Sequence, residues 1–390
     1  MKTPRMNTPR IAFRIAFRTD ASLDIGTGHV MRCLTLADAL CARGATAHFI
    51  CRAHDGHLMD LIHARGHQVT ALPRHPTGQA DTTPLHARWL GTDWATDARE
   101  TLSALNGPPA DWLVVDHYAL DARWENALRP ACQRLMVIDD LADRPHHGDL
   151  LLDQNLGRAA SDYVGLVPTS CAALTGPRYA LLRPEFAARR AQSLARRNPT
   201  RLHRLLVTLG GVDKDNATTR VLQALRHSQL PASCQITVVM GPHAPWLAEV
   251  QIQAAQMPWA TGVLVSVNHM AELMAQSDLA IGAAGSTNWE RCCLGLPCLL
   301  LVLADNQQSS ARALQQAQAV RVMDLASLSQ ALPRLVAELS VDPNADRALA
   351  ALSSAAQAIT DGQGAELVAR QMLPMTQPSA QARHPARETC

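Results

Sequence analysis

One stretch constrains the fold more than any other: Leu279-Ala-Ile-Gly-Ala-Ala-Gly-Ser-Thr-Asn-Trp-Glu-Arg-Cys-Cys-Leu-Gly-Leu-Pro297. Leu279 to Ile281 reads as the end of a buried strand. Gly282 and Gly285 let the backbone turn sharply and approach a ligand closely. Ser286 or Thr287 can N-cap a helix that stops near Gly295-Leu296-Pro297. Strand, small-residue turn and helix start are the unit of an α/β sheet. Together they make an anion site, because free N–H groups and the helix dipole point at one spot. A diphosphate is the expected ligand, with Glu290 one turn in, near any sugar attached to it. The spacing Thr287-Asn-Trp-Glu290 also fits a capping box, in which Glu290 only bonds back to the helix start. The local pattern leaves both readings open.

The unit recurs. Ile11 to Arg18 alternates, with Ile11, Phe13, Ile15 and Phe17 on one face, and runs into the loop Gly26-Thr-Gly28-His29. A helix follows, with Val30, Leu34, Ala37, Leu40 and Cys41 on one side. Thr46–Cys51, Gln68–Leu72, Trp112–Asp116, Arg134–Asp139 and Asp149–Asn155 read as further strands, several ending in acids. A helix is expected over 93–105, and residues 73–93 form a long loop of the kind that often carries function. Around 184–201, Pro184, four arginines and Pro199 mark a change of character. The alternation then restarts with Leu205 to Gly211, a helix from about Asn216 to Arg226, and strands at 236–240, 263–267, 279–281 and 299–303. Residues 325–373 read as helical. The expectation is α/β: two doubly wound Rossmann-like domains over residues 11–185 and 186–373, with a flexible tail over 374–390 and the first ten residues disordered. The 390-residue length has room for this.

Two such domains put a cleft between the carboxyl ends of their sheets, where ligands of these sheets bind. The glycine loops at 26–28, 210–211 and 282–285 all follow strands and can face it. His29 starts a helix, whose dipole disfavours the charged imidazolium; that makes it a candidate proton acceptor. Asp20 is the candidate acid to orient it. Asp116, His117 and Tyr118 cluster at one strand end and Asp139 and Asp140 at another, where ligand binding and capping are both open. Asn155 and Arg183 stand alone in the pattern, and by pattern alone each reads as structural. Asp305 is a good N-cap, while Asn306 and Gln307 could reach a sugar or phosphate. Trp89, Trp94, Trp112 and Trp124 look too dispersed for a stacking platform.

Net charge is +2, which gives no electrostatic case for nucleic acid or an anionic membrane. No apolar run reaches the roughly 18 residues of a membrane span. The ten cysteines are scattered, without zinc spacing, which points to a reducing cytoplasm. No G-x-S-x-G elbow, recognisable metal site or complete dinucleotide fingerprint is present. Neither a cofactor nor a metal is expected, and the oligomeric state is not legible.

Gly26-Thr-Gly28-His29-Val-Met-Arg32, Leu209-Gly-Gly211 and Gly282 through Pro297 resemble the family of UDP-2,4-diacetamido-2,4,6-trideoxy-β-L-altropyranose hydrolases of pseudaminic acid biosynthesis. The likeness covers roughly residues 15–335. It extends to GT-B glycosyltransferases that move GlcNAc onto lipid-linked peptidoglycan precursors. The resemblance implies a GT-B-like fold and metal-independent hydrolysis of a UDP-sugar to UDP and free sugar. It implies His29 as base for the attacking water and Glu290 as a ligand of the ribose hydroxyls. The candidate substrate-binding set is Asp20, Gly28, Asn155, Arg183, Gly210, Gly211, Gly285, Ser286, Thr287, Glu290 and Asn306. A glycosyltransferase on the same fold and a non-catalytic nucleotide-sugar binder are the alternatives.

Overall fold

The computed structural model describes residues 13–75, 83–197, 202–242 and 244–373. Among the described residues thirteen strands lie in two sheets, and every pairing between them is parallel. The first sheet holds β1 (Arg14–Thr19), β2 (Thr46–Arg52), β3 (Gln68–Leu72), β4 (Ala110–Asp116), β5 (Cys132–Ile138), β6 (Leu150–Asp153) and β7 (Ala172–Thr175), in the order β3-β2-β1-β4-β5-β6-β7. The second holds β8 (Arg204–Thr208), β9 (Gln235–Met240), β10 (Ala260–Val265), β11 (Leu279–Ala283), β12 (Cys298–Val302) and β13 (Val320–Asp324), in the order β10-β9-β8-β11-β12-β13. Both are doubly wound: strand order reverses beside β1 in one and beside β8 in the other, and a crevice opens there.

The central strands are apolar throughout because helices cover both faces. Leu113 and Val114 of β4 and Leu279, Ala280 and Ile281 of β11 are all 0% exposed. The helix Gly28–Cys41 lays Val30, Leu34, Ala37 and Leu40 on the first core, and each leucine so buried contributes roughly 2 kcal/mol. The expected strands are present with ends shifted by a few residues. Ile11 and Ala12 of the expected first strand, part of the 73–93 loop, and the expected tail lie outside the described residues. Two strands, β7 and β13, were not expected. Ala172-Ala-Leu-Thr175 lacks a β-branched apolar run, and Arg321 interrupts Val320-Arg-Val-Met-Asp324. Both are outer strands, where one-sided exposure weakens the apolar signal.

The stretch read as helical after residue 325 is three helices, Leu328–Ser340, Ala345–Gln357 and Gly364–Met372. The last returns to the first sheet. Ala365, Val368, Ala369 and Met372 join the core of Ile15, Phe17 and Leu34, and the Trp112 indole donates to the Met372 carbonyl at 3.1 Å. The chain therefore crosses between the two units twice, near Leu182 and near Gly362. Gly364 packs so tightly on the backbone of Tyr179 and Ala180 that a Cβ there would overlap it. Among the described residues no helix is long and apolar enough to cross a membrane.

Candidate active site

Both crevices open onto one cleft. β1 runs through a short loop into the helix Gly28–Cys41, and β11 through Ala284 and Gly285 into the helix Thr287–Cys293. The two helix N-termini face each other: a Cβ on Gly28 would lie 3.7 Å from Ser286 Oγ. The β8 turn closes the same space, with Gly210 at φ +106° and the Cβ position of Gly211 3.6 Å from Thr27 Oγ1. Two positive dipole ends thus converge on a cavity of about 180 Å³. It is lined by Gly28, His29, Asn155, Gly285, Ser286 and Asn306 from the expected set, and also by Arg32, Trp89, Tyr118, Asp140, Gln154 and Trp289.

His29 Nδ1 lies 2.6 Å from Asp116 Oδ1. Asp116 ends β4, the strand beside β1, and Thr19 is opposite it in the register. Arg32, one helical turn after His29, grips both Asp116 oxygens, Nε to Oδ2 at 2.6 Å and Nη2 to Oδ1 at 2.7 Å. Burial opposes the Asp116 carboxylate, yet Arg32 and His29 outweigh it and hold its pKa well below the ordinary carboxylate range. Asp116 is therefore a fixed negative charge behind the imidazole. With Nδ1 so held, Nε2 is the ring nitrogen left for the cleft. Arg32 reaches Asp140 as well, at 2.5 Å, and Asp140 also accepts from Tyr118 Oη at 2.8 Å and Asn155 Nδ2 at 3.2 Å.

Asp20, expected to orient His29 and to bind substrate, does neither. It is fully buried behind β1, paired with Arg18 at 2.6 Å, and it accepts the Arg52 backbone N–H at 2.7 Å. His117 and His54 approach its other oxygen at 3.3 and 3.7 Å. Alternation along β4 decides this: Asp116 faces the His29 helix, and His117 turns to the other side. Asp139 is likewise structural, 2.8 Å from Arg144.

On the other side of the cleft the capping-box reading fails. Ser286 is the N-cap, and its side chain makes no capping bond. Glu290 instead points to Arg183, Oε1 to Nη2 at 3.6 Å, which brings together one isolated candidate and the motif's glutamate. Burial raises the Glu290 carboxyl despite the nearby Arg183 and Arg291. The Thr287 hydroxyl accepts from Arg291 Nη1 at 3.2 Å. Arg291, 2% exposed, also donates to the Ala283 carbonyl at 2.8 Å and to Asn288 Oδ1 at 2.5 Å. That explains Gly282. A Cβ there would overlap the Arg291 guanidinium, so this glycine makes room for a buried cation rather than for a ligand. Gly285 has open space before it. Asn306 sits in a 3-10 turn, Asp305–Gln307, at the cleft edge; Asp305 is not an N-cap, and its carboxylate accepts from Gln308 Nε2 at 3.1 Å.

Sequence reasoning passed over Arg32, Trp89 and Trp289, and left Asp116, Tyr118 and Asp140 undecided. Arg32 had a usable signal: three residues after His29, it shares its helix face. The tryptophans were dismissed as dispersed, and Trp112 and Trp124 are indeed core residues. Trp89 is not: it stacks near Tyr118 with ring centroids 5.8 Å apart. Among the described residues no group of three His, Cys, Asp or Glu side chains could hold a metal ion, and the nine cysteines there are free.

Residues 204–365 match the glycosyltransferase family 28 C-terminal domain. A UDP-2,4-diacetamido-2,4,6-trideoxy-beta-L-altropyranose hydrolase of Campylobacter jejuni is 26% identical over 298 residues, 76% of this chain and 94% of that protein. The spore coat polysaccharide biosynthesis protein SpsG of Bacillus subtilis is 31% identical over 137 residues, 35% of this chain and 39% of that one. Among solved structures, MurG of Acinetobacter baumannii superposes with a TM-score of 0.65 at 14% identity, covering 93% of this chain and 100% of that one. The architecture is GT-B, and the likeness to the Campylobacter jejuni protein extends over 76% of the chain.

Proposed function

We propose that the chain hydrolyses a UDP-linked 2,4-diacetamido-2,4,6-trideoxy sugar to UDP and the free sugar. One observation carries the reading. An imidazole clamped by a buried carboxylate faces, across the cleft, the N-terminus of the helix Thr287–Cys293, whose N-cap side chain makes no capping bond. The similarity to the Campylobacter jejuni hydrolase supplies the substrate.

The first unit holds the base and the second holds UDP. His29 Nε2 takes a proton from water, and the hydroxide so formed attacks the anomeric carbon. The bond from that carbon to the β-phosphate oxygen breaks, and UDP leaves with the electron pair. The free N–H groups near Gly285, Ser286 and Thr287, the Gly210-Gly211 turn and the dipole of the Thr287–Cys293 helix meet its charge, so no step is routed through a metal. Asp116 stabilises the imidazolium, and Arg32 keeps Asp116 ionised and aimed. Glu290 accepts from the ribose hydroxyls, displacing its contact with Arg183. Attack opposite the leaving group inverts the anomeric centre. UDP, a leaving group that needs little protonation, explains why one base suffices where glycosidases use two carboxylates.

The test is UDP release from the diacetamido sugar nucleotide without any acceptor, with product configuration read by NMR. Release that requires a second sugar or lipid would make the chain a transferase; tight binding without release would make it a binding protein.

A further inference from the structure

The chain is poor in aromatic residues: four Phe, three Tyr and seven Trp in 390. Three of them nevertheless line the cleft beside His29: Trp89, Tyr118 and Trp289. Trp289 is 2% exposed and belongs to the core of the second unit. Trp89 differs. It projects from the 3-10 turn Ala87–Leu90, whose Ala87 and Leu90 are buried in the first unit, while its own ring stays partly exposed. The ring lies 4.4 Å from that of His86 and at 25° to that of Tyr118. Tyr118 stands edge-on to His29, centroids 4.5 Å apart, and Arg144 lies 5.9 Å from the Tyr118 ring. Burial lowers the pKa of His86, and nearby Arg144, Arg88 and His29 add to this against Asp143.

Packing of the first core does not require this arrangement. Ala87 and Leu90 anchor the turn, and a polar residue at 89 would leave that core intact. What the indole adds is a flat apolar face beside the proposed base, packed against His86 and Tyr118, in a cavity that also carries Arg32, Asp140, Gln154 and Asn155. Such a face stabilises C–H-rich surfaces and offers nothing to a hydroxyl, which loses water against it without a partner. Asn155 spends its amide nitrogen on Asp140, which leaves its carbonyl oxygen as an acceptor.

We propose that Trp89, backed by His86 and Tyr118, selects the sugar: its indole stacks on the C–H face of an N-acetylated 6-deoxy pyranose, while Asn155 Oδ1 accepts from an acetamido N–H. A 6-hydroxylated sugar is disfavoured because its hydroxyl is desolvated at the wall. This rests on the reading that a UDP-linked sugar occupies the cleft.

The test measures binding of UDP, UDP-N-acetylglucosamine and UDP-2,4-diacetamido-2,4,6-trideoxy-β-L-altropyranose by calorimetry. It uses the His29→Ala chain, alone and combined with Trp89→Ala or Trp89→Phe. The trideoxy sugar nucleotide is expected to bind at least about tenfold more tightly than UDP-N-acetylglucosamine. Trp89→Ala should erase most of that ratio while leaving the Kd for UDP alone unchanged, and Trp89→Phe should retain it. A ratio that survives Trp89→Ala, a loss shared equally by UDP, or no initial preference overturns the proposal. UDP release by the unmodified chain is scored separately. The expected ratio without release keeps the wall and sinks hydrolysis, whereas release with a ratio indifferent to Trp89 does the reverse.

Discussion

Replacing Asp116 by Asn keeps the shape of the side chain but removes a charge that Arg32 and His29 share. Turnover should fall by about 10² to 10⁴, because the imidazole loses both its fixed tautomer and the charge opposite its protonated form. UDP affinity should hold, since Asp116 is fully buried behind His29 and does not itself line the cavity. The same change leaves Arg32 short of a partner, so a stability loss of about 3 kcal/mol should accompany it in urea titrations. Glu290→Gln tests the opposite wall: UDP should bind about tenfold more weakly by calorimetry, and unchanged affinity would remove the ribose assignment. A third prediction concerns His146. Burial opposes its imidazolium, but Asp139 and Glu125 outweigh it and push the pKa up to about 9. A raised folded value means stability that is complete below the unfolded pKa of about 6.5 and drains away as pH rises through 9. Melting curves from pH 6 to 10 should show that loss, and His146→Gln should flatten it. The place of His29 was legible, because a glycine loop after a strand puts the next residue at a helix start facing the cleft. Its partner was not: Asp20 directly follows β1 and Asp116 ends the neighbouring β4, and only strand order and side-chain alternation tell them apart.

Elements were more legible than their edges. Central strands announce themselves through uninterrupted apolar runs; β7 and β13 are outer strands and carry no such run. The turn after β11 was read correctly as strand, turn and helix, but the role of Gly282 was not. The sequence pattern cannot show that Arg291, nine residues later, folds back beneath it. Gly282→Ala should push that guanidinium out, shift the start of the Thr287–Cys293 helix and weaken UDP binding by at least about tenfold, with a few kcal/mol lost in stability. Calorimetry on a folded variant checks the first part. Val368→Asp probes the closing helix. Val368 is 0% exposed in the first unit's core, far along the chain from its neighbours there. An unpaired charge at that position should cost several kcal/mol and leave little soluble protein at 37 °C.

Across the whole molecule, UDP should bind the folded chain and stabilise it, by roughly 2.7 kcal/mol at a hundredfold excess over Kd. A thermal shift that rises with the logarithm of UDP concentration would register this. The fold was legible at this scale because the strand–turn–helix unit repeats on both sides of a charged, proline-flanked break. The return of the last helix was not, since its amphipathic pattern says only that it is covered and not by which sheet. That return has a mechanical consequence. A chain passing once between two bodies leaves them free to twist about a single bond. Here two passages lie side by side, with Gly364 seated on Ala180. Two adjacent covalent tethers act as the pin of a hinge, favouring an opening and closing swing of the two units over a free twist. Arg183 sits beside that pin and reaches Glu290. Any such swing would start there, so the arginine that meets the Glu290 carboxylate also sits where the two units pivot.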